Sequence, residues 1–129
     1  MLLLDTHALV WLATDLSQLT DAAKSAIRFH STELHVSSVS ALEISVLTQC
    51  GKLKWGRNPL SRFERALEHH CVNEVPVDCG IAWKSGQLPQ LHRDPFDRII
   101  IATAQVHGMA IRTKNRTIPT YARVKAVWE

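Results

Sequence analysis

Asp5, Glu43 and Asp97 lie far apart in a chain of 129 residues, yet each stands where an α/β fold could carry it to one edge of a sheet. Asp5 directly follows the apolar run Leu2-Leu3-Leu4. Glu43 sits between Leu42 and Ile44, one turn into a helical segment beginning at Ser40. Asp94 and Asp97 flank Pro95-Phe96 at the head of the most apolar segment of the chain. Each acid also has a local explanation. Asp5 fits a turn or helix N-cap, Ser40-Ala41-Leu42-Glu43 matches a capping box, Asp94 is a natural N-cap, and Asp97 would sit favourably in the helix dipole. Asp94 alone can fill both helix-start roles, however, and a second acid beside a buried segment carries a desolvation cost unless something pairs with it. Brought together, such carboxylates repel and raise one another's pKa. A divalent cation relieves that repulsion, and Mg²⁺ or Mn²⁺ suits oxygen ligands. An ion so held lowers the pKa of a bound water and stabilises charge on a phosphoryl oxygen, which is phosphodiester chemistry without a protein nucleophile.

The elements that must position these acids alternate between strand and helix. Leu2-Leu3-Leu4 reads as a short buried strand of the parallel type, followed by a helix over about residues 8–13. Thr20 is placed to cap a second helix ending near Phe29. Leu34-His35-Val36 is a second strand. The helix from Ser40 carries Leu42, Ile44, Val46 and Leu47 and closes at Cys50-Gly51. Pro59 opens the next helix, with Phe63, Ala66 and Leu67 on one side and Arg62, Arg65 and Glu68 on the other. A third strand is expected over residues 72–77, weakened by Pro76. Asp78 caps a helix that Gly86 should end. Asp94-Pro95 starts the central helix, Gly108 ends it, and strands follow at residues 109–111 and 124–128. This order predicts one α/β domain over residues 1–129, with a central, mostly parallel sheet of four to five strands between two helical layers.

An apolar fraction of 46% supports a single core, and 21% charged residues is ordinary for a soluble protein. No apolar run approaches the ~18 residues of a membrane span. The N-terminal run is cut off at once by Asp5 and lacks a basic lead, which argues against a signal peptide. Cys50, Cys71 and Cys79 are an odd set without metal-ligand spacing, so reduced thiols and a cytoplasmic setting are expected. The net charge of +3 is modest. The cations are grouped, with Arg93, Arg98, Arg112, Lys114 and Arg116 late in the chain and Lys52, Lys54, Arg57, Arg62 and Arg65 earlier. Such groups can hold phosphates or simply form a solvated face.

Taken in order, Leu3-Leu4-Asp5-Thr6-His7-Ala8-Leu9-Val10-Trp11, Ser40-Ala41-Leu42-Glu43-Ile44 and Leu91-His92-Arg93-Asp94-Pro95-Phe96-Asp97-Arg98 leading into Ile101-Ala102-Thr103-Ala104 resemble the PIN domain, specifically its VapC-type toxins. The order continues from Gly108 through Thr113 to Tyr121 and Trp128, so the resemblance spans essentially the whole chain. It implies a PIN-like three-layer α/β/α fold and an endoribonuclease using Mg²⁺ or Mn²⁺. Its three acids fall on Asp5, Glu43 and Asp97, and Asp94 belongs to the Asp-Pro-Phe-Asp-Arg variant as a cap or supporting group. A fourth acid is expected after Thr113, where this chain has Asn115. An amide oxygen still ligates a hard cation but brings no charge, so weaker metal binding and one well-held ion are expected. The resemblance also implies a homodimer and a cognate antitoxin that blocks the acidic groove.

In this reading Asp5 and Asp97 hold the ion, and Glu43 is a ligand or deprotonates the attacking water. Thr6 and Thr113 support the site, and Arg93, Arg98, Lys114 or Arg116 contact the RNA backbone. His7 is either a proton shuttle or a surface or packing histidine, and the four tryptophans read as core or interface residues. Trp11, Trp55 and Phe63 are open to a partner contact or to core burial. A catalytically weakened module that binds RNA or antitoxin is the competing reading, with Asn115 as its sign. A dehalogenase-like phosphatase needs a second aspartate where this chain has His7. A receiver domain is disfavoured by the missing acidic pair near the first strand.

Overall fold

The computed structural model describes residues 1–14, 17, 21–29, 33–89, 94–112 and 125–127. Five strands, β1 (Leu2–Leu4), β2 (Leu34–Ser37), β3 (Asn73–Val75), β4 (Ala110–Arg112) and β5 (Lys125–Val127), form one sheet in the order β3-β2-β1-β4-β5. Every pairing is parallel, with Leu2 opposite Leu34 on one side and Ala110 on the other. The central strand explains its own composition. Side chains alternate across a strand, and β1 has helices on both faces, so all three leucines are fully buried. Leu2 and Leu4 enter a core with Leu9, Ile27, Ile44 and Phe63, whereas Leu3 enters the opposite core with Ile81, Ile100, Ile101 and Ile111.

The first core is roofed by α1 (Thr6–Thr14), α2 (Asp21–Phe29) and α4 (Pro59–His69), and the second by α5 (Cys79–Gln87) and α6 (Pro95–His107). α3 (Val39–Gln49) leaves β2 and reaches both cores, Val39 packing in one and Ile44 in the other. α6 is buried along Ile100, Ile101, Ala102, Thr103 and Ala104, and ends at Gly108, whose φ of +66° is open to glycine without strain. Among the described residues no helix is long and apolar enough to cross a membrane, and the three cysteines are free and exposed.

Several boundaries differ from expectation. α3 begins at Val39, before Ser40, and α5 passes through Gly86 to Gln87. The stop is supplied by Leu88, which adopts an extended conformation because it precedes Pro89. β3 is confined to Asn73–Val75, since Pro76 has no N–H to continue the ladder. Trp55 is buried and Trp11 is half-buried, while Trp83, with 74% of its surface exposed, lies outside the core and leaves only the interface role of the two expected. The expected caps and strand ends at Thr20 and Trp128 lie outside the described residues.

Candidate active site

A strand order that runs outward from β1 in both directions places a switch point between β1 and β4. The loops beyond the carboxyl ends of the strands part there and leave a crevice. α1 and α3 begin at that edge because they follow β1 and β2, and α6 begins there because it runs back to enter β4. Three helix N-termini, each the positive end of its peptide dipoles, therefore meet at one edge. The acids expected to do chemistry stand on them.

Asp5 caps α1. Its Oδ1 accepts the Ala8 backbone N–H at 2.8 Å, and only 9% of the residue is exposed. The capping role weighed for Asp5 is therefore filled, and the cap holds in a fixed orientation the side chain expected to do chemistry. Thr6, the next residue, is buried and touches α3 twice, with Oγ1 2.5 Å from Glu43 Oε1 and 3.0 Å from Ser40 Oγ. A threonine hydroxyl has one proton. The carboxylate takes it as the stronger acceptor, so Ser40 is the group that donates to Thr6.

The capping box read from Ser40 to Glu43 is corrected by this geometry. Ser37 and Ser38 serve the start of α3 and the adjoining loop: Ser37 Oγ accepts from Val39 N at 3.1 Å, and Ser38 Oγ accepts from Val77 N at 3.0 Å. Ser40 is carried into the first turn, and Glu43 faces Thr6 across the α1–α3 contact. Burial raises the Glu43 pKa above the ordinary glutamate value, against the Thr6 hydrogen bond, which lowers it. The charges of Asp97 and Asp94 raise it further, and His7 lowers it. Those couplings show that α6 brings its acids to bear on the same point. Asp94 is the N-cap of α6, with Oδ1 accepting from Phe96 N at 2.9 Å, and Asp97 lies half-buried in the first turn.

Among the described residues no three Asp, Glu, His or Cys side chains form a ready-made metal cage. Direct ligation of one ion by Asp5, Glu43 and Asp97 together is therefore not preformed. The donor chemistry nevertheless fits a small hard cation. Mg²⁺ usually keeps several waters and needs one or two carboxylates, and the repulsion felt at Glu43 is what a cation removes.

Arg98 is corrected as a phosphate contact. It is buried, with Nη1 donating to the Pro89 carbonyl at 3.0 Å and Nη2 to the Leu88 carbonyl at 2.8 Å, and so ties α6 to the end of α5. A buried charged fork committed to two backbone carbonyls is not available to RNA. Arg93, Thr113, Lys114, Asn115 and Arg116 lie outside the described residues. His7 is exposed and stacks on Trp11, with ring centroids 5.8 Å apart. Trp55 and Phe63, held open as partner contacts, are buried in the core. Ser40 was missed as a member of the hydroxyl pair. Its i, i+3 spacing to Glu43, which places both on one helix face, is the signal that could have found it.

An all-parallel sheet between two helical layers, with acids at the helix starts along its carboxyl edge, defines a class of α/β proteins. The chain belongs to the PIN-domain family, whose model matches residues 2–124. It is 32% identical over 126 residues to Ribonuclease VapC22 of Mycobacterium tuberculosis, covering 97% of this chain and 95% of that protein. Its fold is similar to a toxin–antitoxin complex from Klebsiella pneumoniae at 25% identity and a TM-score of 0.65, covering 96% of this chain and 95% of that one. A VapBC2 structure from Rickettsia felis bound to a promoter DNA fragment shares the fold with a TM-score of 0.73 at 14% identity, over 99% and 98% of the two chains.

Proposed function

We propose that this chain is a Mg²⁺- or Mn²⁺-dependent endoribonuclease and the toxin member of a toxin–antitoxin pair, working in the cytoplasm. The observation that carries the reading is the buried Glu43 carboxylate, hydrogen-bonded to Thr6 and lying in the field of Asp97 and Asp94. The ribonuclease named among its relatives and the toxin–antitoxin complex among its structural neighbours support it.

Asp5, Glu43 and Asp97 would hold the cation. When bound, it supplies a Lewis acid for the scissile phosphate and lowers the pKa of water at the site. Glu43 serves as a ligand or as the base that accepts a proton from the attacking water. Thr6 and Ser40 hold that carboxylate in one rotamer, and the Ala8 N–H holds Asp5. Arg93, Lys114 and Arg116 are assigned to the RNA backbone, Thr113 to support, and Asn115 to a neutral ligand. Converting Asn115 to Asp is expected to tighten metal binding in a calorimetric titration, and unchanged affinity would remove it from the ligand set. A homodimer and a cognate antitoxin complete the assembly.

The competing reading, a module that binds RNA or antitoxin without cutting, draws on Asn115, which stands where a fourth acid is expected. Incubation with total RNA, with Mg²⁺ or Mn²⁺ and with chelator, followed by mapping of cut ends, separates the two. Metal-dependent cuts lost in Asp5→Asn support the nuclease, and no cuts on any RNA support the binding module.

A further inference from the structure

The acids of the proposed site repel the phosphates of an RNA strand, and Arg98 is committed to two backbone carbonyls. An attractive field for a polyanion must come from elsewhere on the surface. Arg62, Arg65, His69 and His70 of α4 and the turn that follows it line an open cavity of about 460 Å³, closed on one side by Ala13 of α1. Residues 62, 65 and 69 recur at helical spacing and form one stripe; Glu68, three residues after Arg65, borders that stripe, and Glu64 lies further round the helix. Among the described residues, neither Arg62 nor Arg65 is in an ion pair. The Arg62 guanidinium lies 5.5 Å from the Trp55 ring centroid, a cation–π contact that limits its rotamers, and His69 and His70 meet edge to face at 4.7 Å. Oriented guanidinium forks suit phosphate oxygens.

The cavity is also within reach. α1 leads from Asp5 to Ala13, eight residues or about 12 Å at 1.5 Å per residue. A single strand of a few nucleotides spans that distance.

We propose that the Arg62–Arg65–His69–His70 cavity binds the phosphodiester backbone of single-stranded RNA a few nucleotides from the acid site, as an anchor separate from the cleaving groups. This rests on the ribonuclease reading for its substrate class. The cavity sets affinity for strands long enough to span both places and leaves the cleavage of very short ones untouched.

The test is fluorescence anisotropy with a 5′-labelled 20-nucleotide single-stranded RNA in chelator, across a salt series. Arg62→Gln/Arg65→Gln is compared with wild type, and Arg65→Gln alone serves as a second variant that leaves the Trp55 contact intact. The expected result is about a tenfold loss of affinity in the double variant, with the log–log salt slope shallower by about 1.4, at ~0.7 per single-strand phosphate. Arg65→Gln should lose about half that slope, and its unfolding temperature should match wild type. Unchanged affinity and slope in both variants would overturn the proposal, whatever the cleavage activity. RNA binding that depends on these arginines without metal-dependent cutting would keep the anchor and reject the nuclease. Should polyglutamate compete for the cavity while RNA binding ignores both variants, the site belongs to an acidic protein segment and the proposal fails.

Discussion

Thr6 Oγ1 lies 2.5 Å from Glu43 Oε1, joining the first residue of α1 to the fifth residue of α3 inside the protein. Both residues are buried, so the bond orients a carboxylate where water cannot do so. Thr6→Val keeps the side-chain shape and removes the donor. Stability should fall by about 2 kcal/mol, the cost of leaving a charged acceptor unmatched. Single-turnover cleavage should fall by about tenfold or more, and Thr6→Ser should restore most of both. Equal cleavage by Thr6→Val and wild type would show that the orientation of Glu43 is immaterial.

Asp5 separates structure from chemistry by the choice of replacement. Asparagine caps a helix about as well as aspartate, so Asp5→Asn should unfold within about 0.5 kcal/mol of wild type while cleavage drops by about 100-fold or more. Asp5→Ala loses the bond to Ala8 N as well and should cost about 1 kcal/mol in addition. Denaturant unfolding of the two variants side by side measures the difference.

Glu43 predicts a particular dependence on pH. Its folded pKa lies above its unfolded value, chiefly through burial. Between the two values the native state binds more protons than the unfolded chain, so this residue's contribution to stability declines as pH rises through that interval. Glu43→Gln carries no charge to bury and can still accept from Thr6. In chelator it should melt above wild type at neutral pH, and the two should converge below the ordinary glutamate pKa, where both side chains are neutral. Cleavage should be lost throughout. A wild type that melts higher at neutral pH without metal would contradict the sign.

Arg98 should behave as a structural residue. Arg98→Gln leaves the Leu88 and Pro89 carbonyls poorly matched and should destabilise by about 3 kcal/mol. Arg98→Lys should rescue little, because an ammonium cannot reproduce the two-pronged geometry. The salt dependence of RNA binding should stay as in wild type, and a shallower slope would return Arg98 to the substrate surface.

Much of this architecture is legible along the chain because local chemistry and global position agree. Leu2-Leu3-Leu4 has no polar residue to offer solvent, so it must be covered on all sides, and its short length between Met1 and Asp5 suits a strand. Asp94, Pro95 and Gly108 bound α6 by the conformational needs of a cap, a first turn and a left-handed exit. Capping failed as a guide at Ser40. Two earlier serines stood ready for the loop and the start of α3, and local spacing does not rank equivalent hydroxyls. Gly86 failed similarly, since a glycine permits a helix to end but Pro89 requires it.

The sequence by itself determined which residues are acids, which segments are strands or helices, and that the strands are buried, because these follow from side-chain chemistry and periods of 2 and 3.6. Only the tertiary structure decided which groups share a space. Thr6 and Glu43 are 37 residues apart and meet because β1 and β2 are parallel neighbours whose following helices start at the same edge. Arg98 turned inward for the same kind of reason. The carbonyls it serves belong to the end of another helix, and no pattern local to Arg98 announces where that helix will pack.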